Sequence, residues 1–174
     1  MNKYLIMNIK EIVKLPNGTV AFVALRFIIG FLLIWAFLDK TFGLGFATKA
    51  GAGFISGGSP STGFLKYNDG IFASFFNALA GSTVVDVLLL LAFLCIGTGL
   101  ILGIAKKLTC IAGCLLFLLM YLASLPLANN PIIDEHIVYI VVLIGIYLSN
   151  AGIYLGLGNK WNELCLVKRF PILQ

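Results

Sequence analysis

Apolar residues in this chain come in four unbroken blocks, not in stripes. The blocks run from Val20 to Leu38, Val87 to Ala105, Leu108 to Ala128 and Ile137 to Gly158. Each is close to the roughly 20 residues that a helix needs to cross the hydrocarbon core of a bilayer. The first holds one charge, Arg26, and the other three hold none. A helix satisfies its own backbone hydrogen bonds, so such blocks are stable in lipid. The pattern predicts an all-α membrane protein, a four-transmembrane-helix bundle with spans at 20–39, 84–105, 108–128 and 137–158.

The polar stretches between the blocks are unequal. Lys106-Lys107 makes a tight turn between the second and third. More than forty residues separate Asp39 from Asp86, with glycines at 43, 45, 51, 53, 57, 58 and 63. A loop of that length is usually functional or partly structured. Its last part, Ile71 to Ala80, is apolar but too short to span, and predicts a short interfacial helix within a long extracytoplasmic loop. Before the first block, Leu5, Ile9, Ile12 and Val13 share a helical face, with Lys3, Lys10 and Lys14 largely elsewhere. Residues 1–19 therefore read either as an amphipathic helix on the cytoplasmic membrane surface or as a frayed tail. Pro16-Asn17-Gly18 ends that segment, and no small-residue cleavage site follows the first apolar block. The membrane domain is 20–158, and 159–174 is a cytoplasmic tail.

Composition agrees. Of the 174 residues, 60% are hydrophobic and 11% charged, against about 45–50% and about 25% in ordinary soluble domains. The net charge of +5 does not indicate nucleic acid, because the basic residues sit in short clusters beside apolar blocks. Their distribution gives orientation. Lys3, Lys10, Lys14, Lys106, Lys107, Lys160, Lys168 and Arg169 fall on one side of four spans, and Lys40, Lys49 and Lys66 on the other. The positive-inside rule then puts both termini in the cytoplasm of a prokaryotic inner membrane. Gly99-x-x-x-Gly103 and Gly152-x-x-x-Gly156 are candidate helix contacts.

Polar residues within or beside lipid are candidates for chemistry. Arg26 lies thirteen residues before Asp39, and Asn150 fourteen after His136. At 1.5 Å per residue both are roughly 20 Å from the outer rim, so Arg26 either pairs with Asn150 inside the bundle or snorkels to the cytoplasmic surface. Asp39, Lys40, Asp86, Asp134, Glu135 and His136 gather at the outer rim. Asp134 suits a helix N-terminus, and His136 beside carboxylates is a candidate for proton exchange. Gly57-Gly58-Ser59-Pro60-Ser61-Thr62-Gly63 reads either as an anion cradle or as a plain turn. One histidine excludes a bis-histidine haem. The four cysteines make no C-x-x-C pair and no metal spacing, and no flavin or dinucleotide motif is present.

Several stretches together resemble the DoxX/DoxD membrane family. They are Leu25-Arg26-Phe-Ile-Ile-Gly30, Trp35-Ala-Phe-Leu-Asp39-Lys40, Phe42-Gly-Leu-Gly-Phe46, Gly57-Gly-Ser-Pro-Ser-Thr-Gly-Phe64, Asn130-Pro131, Asp134-Glu-His136-Ile-Val-Tyr139, Ala151-Gly-Ile-Tyr-Leu-Gly-Leu-Gly158 and Val167-Lys-Arg-Phe-Pro171. The resemblance covers the chain from about Val20 onward. It implies a small subunit of a thiosulfate:quinone oxidoreductase, working with a second membrane-anchored redox subunit and passing electrons to membrane quinone. On that reading Asp39, Glu135 and His136 are catalytic candidates. Arg26, Trp35 and Asn150 are candidates for holding quinone, and Lys40, Lys49, Gly57, Gly58 and Ser59 for attracting a small oxyanion. No metal is expected. Two rival readings are a non-enzymatic scaffold subunit of a redox or stress-response complex, and a small-molecule carrier. The partners expected are the bilayer, the second subunit or a further copy of the chain, and no nucleic acid.

Overall fold

The computed structural model describes residues 17–66 and 69–173. The expected amphipathic segment before Asn17 lies outside them. Among the described residues every regular element is helical. The long ones are α1 (Asn17–Phe42), α4 (Thr83–Leu102), α5 (Lys106–Ala123) and α6 (Glu135–Leu148). The short ones are α2 (Thr62–Leu65), α3 (Ala73–Leu79), α7 (Gly158–Glu163) and α8 (Cys165–Arg169). Each long helix packs on the next, α1 on α4, α4 on α5, α5 on α6 and α6 on α1, closing a four-helix bundle. Its core runs through Leu33, Phe93, Ile96, Phe117, Leu143 and Ile146.

Three of these helices, α1, α4 and α5, are long and apolar enough to cross a membrane. Their outward faces remain apolar: Phe31 is 62% exposed and Leu88 61%, and Val141 on α6 is 63%. A water-soluble bundle would carry polar residues there, so the apolar outer face is that of a chain in contact with lipid. The fourth apolar block is helical only through Leu148. With 14 residues, α6 is about 21 Å long. Asn150 and Leu155 take left-handed backbone conformations, with φ of 53° and 50°, and the chain folds into turns instead of continuing the helix. The third block also stops short of its expected end. α5 finishes at Ala123, three residues before Pro126, a residue that has no N–H to continue the ladder and disfavours helix just before it.

Local chemistry accounts for the helix ends. The α4 C-terminus closes on Gly103, whose φ is +66°. Gly103 N–H donates to the Leu100 carbonyl and Ile104 N–H to that of Gly99, the paired bonds of a glycine-terminated helix. α6 starts at Asp134, whose carboxylate accepts from the N–H groups of His136 at 3.0 Å and Ile137 at 3.3 Å, as an N-cap does. Helix approach uses glycine, although at a different pair from the spacing motifs. Gly30 and Gly97 let α1 and α4 cross so closely that a Cβ on Gly97 would lie 3.0 Å from the Gly30 carbonyl. Gly99 lies against Thr109 of α5, whereas Gly152 and Gly156 fall in the turns beyond α6.

The loop between α1 and α4 folds over the end of the bundle away from the Lys106-Lys107 turn. Phe76 of α3 joins Leu65 and Ala123 in a second small core, while Ile71, Phe72 and Phe75 stay exposed. One face of the expected interfacial helix is thus seated on protein, and its other face is apolar and open.

Candidate functional site

At the end of the bundle away from the Lys106-Lys107 turn the acidic residues form three separate anchors. Asp39 is 1% exposed. Its carboxylate accepts from Phe46 N–H at 3.2 Å and Thr48 N–H at 2.7 Å, so the end of α1 holds the first turn of the loop. Trp35 stacks on Phe31 and meets Phe46 edge-on at 5.0 Å. This places it in an aromatic group with Phe31 and Phe46. Lys40 is half-buried beside Asp39, and Lys49 is exposed.

The second anchor is Asp86, buried in the first turn of α4. One of its oxygens accepts from the Ser59 hydroxyl at 3.0 Å and from Ser61 N–H at 2.7 Å. The serine-glycine loop therefore cradles an anion, and that anion is a side chain of the same protein. Other loop donors are engaged too. Gly57 N–H donates to the Phe54 carbonyl, Gly58 N–H to that of Gly53, and Thr62 N–H to the Ser59 hydroxyl. Gly58 is required here because a Cβ would lie 2.1 Å from the Ala52 carbonyl. This pairing was not legible in the sequence, since Ser59 and Ser61 lie 27 and 25 positions before Asp86.

The third anchor joins Asp134 to the only histidine. His136 Nδ1 lies 2.7 Å from an Asp134 oxygen. The imidazole is 7% exposed, between the rings of Phe64 and Phe117, each 6.3 Å away. Burial works against the Asp134 carboxylate. The hydrogen bonds from the His136 ring and from two backbone N–H groups outweigh it and hold its pKa below the ordinary carboxylate value. With Nδ1–H donating to that carboxylate, Nε2 is the ring nitrogen left to meet another group. Among the described residues no hydrogen bond reaches Nε2. Glu135, next along the first turn, is exposed. No hydrogen bond or ion pair among the described residues links the three anchors, and no group of three His, Cys, Asp or Glu side chains among them is arranged to hold a metal.

At the basic end, Arg26 and Asn150 do not pair. Arg26 is 1% exposed and does not snorkel. Its Nη2 donates to the carbonyls of Tyr154 at 3.1 Å and Leu155 at 3.0 Å. These belong to the irregular stretch beyond α6, where backbone carbonyls have no helical partners. Buried non-helical backbone needs hydrogen-bond partners, and Arg26 supplies them for these two carbonyls. Gly103 and Gly156 crowd the guanidinium: a Cβ at either would lie 2.0 or 2.8 Å from Nη1. Asn150 instead accepts from the Lys106 ammonium at 2.6 Å.

A quinone ring needs an apolar slot with a hydrogen-bonding group at its rim. His136 has two neighbouring aromatic rings and one imidazole nitrogen that could make such a contact. The void that Arg26 lines has a volume of only about 10 Å³. No family model, curated protein or solved structure matches the chain.

Proposed function

We propose that this protein is a multi-pass subunit of a quinone-linked membrane oxidoreductase, and that the Asp134–His136 pair is its proton-exchanging group. The observation that carries the reading is the 2.7 Å contact between those side chains, set between Phe64 and Phe117 at the outer end of the bundle. The resemblance of the sequence to the DoxX/DoxD family supports it. A bound quinone would supply two-electron acceptor chemistry. Thiosulfate oxidation is the reaction that the resemblance suggests, with electrons arriving through a second subunit.

The chain's own contribution is protonic. Asp134 fixes the imidazole tautomer through Nδ1, and Nε2 takes or gives a proton. The carboxylate steadies the charged ring, as an orienting acid does for a general base. In this reading the chain crosses the membrane four times. α6 is the short fourth pass, extended by the turns that Arg26 holds against the end of α4, and both termini lie on the cytoplasmic side with the lysine-rich turn.

The test compares wild type with His136→Gln in purified, detergent-solubilised protein. Wild type should bind an added quinone, and His136→Gln should bind it at least tenfold more weakly while unfolding at a similar temperature. Failure of wild type to bind quinone at all would overturn the proposal. A non-catalytic scaffold role is the second reading. It is favoured by Asp39 and Asp86, whose carboxylates both hold loop backbone in place.

A further inference from the structure

The basic end of the bundle holds a cavity of about 340 Å³ that the redox reading does not use. Its polar lining comes from Lys106, Lys107, Asn150 and Asn162, with Tyr147 and Gly103 completing the wall. No carboxylate is among the described residues that line it. Three features make it electropositive.

First, α5 begins at the cavity. Ala105 precedes it in a left-handed conformation and provides no side-chain cap. Among the described residues the N–H groups of Lys106, Lys107 and Leu108 make no backbone hydrogen bond. A helix start of this kind presents free donors and the positive end of its dipole. Second, the Lys106 ammonium is held in place. It donates to Asn150 Oδ1 at 2.6 Å and lies 5.0 Å from the centre of the Tyr147 ring. One acceptor leaves two of its three protons for another partner. Third, Arg26 lies behind the same wall. The small void it lines shares Gly103, Lys106 and Gly152 with the cavity. Arg26 is 1% exposed, and among the described residues its Nε and Nη1 have no hydrogen-bond partner and no carboxylate neutralises it. A buried cation without a counter-ion is unfavourable, and an anion nearby offsets that penalty.

We infer that this cavity binds a phosphate group. A tetrahedral oxyanion matches several converging N–H donors together with point charges from lysine. The volume exceeds what a bare phosphate fills, which indicates a phosphate ester. Pro171 lines the cavity, and Leu148, Phe170 and Ile172 are exposed nearby in the chain. An apolar shelf beside a phosphate site suits the diester of an anionic phospholipid, with its acyl chains on the outside of the bundle. A water-soluble phosphate monoester offers the same headgroup chemistry from solution. The inference does not rest on the redox proposal, since it concerns the opposite end of the molecule.

The experiment uses the full chain in nonionic detergent. Thermal unfolding and native mass spectrometry are recorded with added phosphatidylglycerol, with phosphatidylcholine in equal proportion, and with glycerol 3-phosphate. Phosphatidylglycerol should raise the unfolding temperature and remain bound, and phosphatidylcholine should do neither. Stabilisation by glycerol 3-phosphate, with displacement of the lipid, assigns the site to soluble phosphate esters. The double variant Lys106→Gln/Lys107→Gln should weaken binding about tenfold or more, which is about 1.4 kcal/mol. Lys168→Gln/Arg169→Gln removes the same charge outside the cavity and should leave affinity within twofold. Asn162→Leu, on the exposed edge, provides a second lesion should the lysine variant not fold. Equal loss in the two double variants would mean diffuse attraction to a basic surface and would overturn the inference. So would failure of both phosphate compounds to bind wild type.

Discussion

Replacing Gly103 with alanine tests whether Arg26 serves as a clasp. The residue has φ of +66°, and its Cβ would lie 2.0 Å from Arg26 Nη1. Alanine in that conformation costs about 1–2 kcal/mol from backbone strain alone. The guanidinium also has to withdraw, breaking at least one of its bonds to Tyr154 and Leu155. A hydrogen bond to a charged group is worth about 1.5–3 kcal/mol, so the total is about 3–5 kcal/mol. In an Arg26→Leu background no guanidinium stands in the way, and Gly103→Ala should cost its backbone strain of about 1–2 kcal/mol and whatever the Gly152 carbonyl adds, without the lost hydrogen bond. The close Gly152 carbonyl, 2.6 Å from the same Cβ, is present in both backgrounds and cancels. Arg26→Leu alone is the less informative variant: it strips two carbonyls of their donor, but it also removes a buried cation with two unpartnered nitrogens, and these effects oppose each other. The coupling between the two sites should therefore be about 2 kcal/mol. It is read from a double-mutant cycle of unfolding in mixed detergent micelles, followed by helical circular dichroism. Additivity within about 0.5 kcal/mol would refute the clasp.

Asp86 offers a graded series. Asp86→Asn keeps one acceptor oxygen for Ser59 and Ser61 and should cost about 1 kcal/mol, whereas Asp86→Leu leaves Ser61 N–H buried without a partner and should cost about 2–3 kcal/mol; proteolysis of the 43–66 loop should accelerate in the same order. Gly97→Leu forces α1 and α4 apart and should destabilise the protein by at least about 1–3 kcal/mol in the same unfolding assay. The Asp134 carboxylate has a folded pKa below its ordinary 3.8. Its contribution to stability is therefore complete above that value and is lost as pH falls below it. Asp134→Asn should narrow the gap between unfolding midpoints measured at neutral and at strongly acid pH, and an unchanged gap would remove the carboxylate from the account.

Much of the architecture was readable in the residues because lipid imposes so simple a rule. A block without charges has to be helical, and the start of each block was legible to within a few residues. The ends were harder. α6 stops at Leu148 because Asn150 and the glycines at 152, 156 and 158 prefer turns, yet each of these residues is also tolerated inside membrane helices. The role of Arg26 was hidden for a related reason: its partners are the carbonyls of Tyr154 and Leu155, and a backbone acceptor leaves no trace in residue type. The capping role of Asp134 was legible, because Asp before a helix has a local mechanism. The clasp of Asp86 on Ser59 and Ser61 spans twenty-five or more positions, and spacing alone does not encode such a pairing.

The central claim is a lipid-embedded bundle whose lysine-rich end faces the cytoplasm, and the chain's own thiols test it. Cys95 is exposed on α4, where the account places lipid, and Cys165 is exposed at the basic end. Intact cells and inverted membrane vesicles are treated with a membrane-impermeant maleimide, and the labelled sites are mapped by mass spectrometry. Cys165 should be labelled only in inverted vesicles, and Cys95 in neither preparation until detergent is added. Labelling of Cys165 from outside intact cells, or of Cys95 in sealed membranes, would contradict the account.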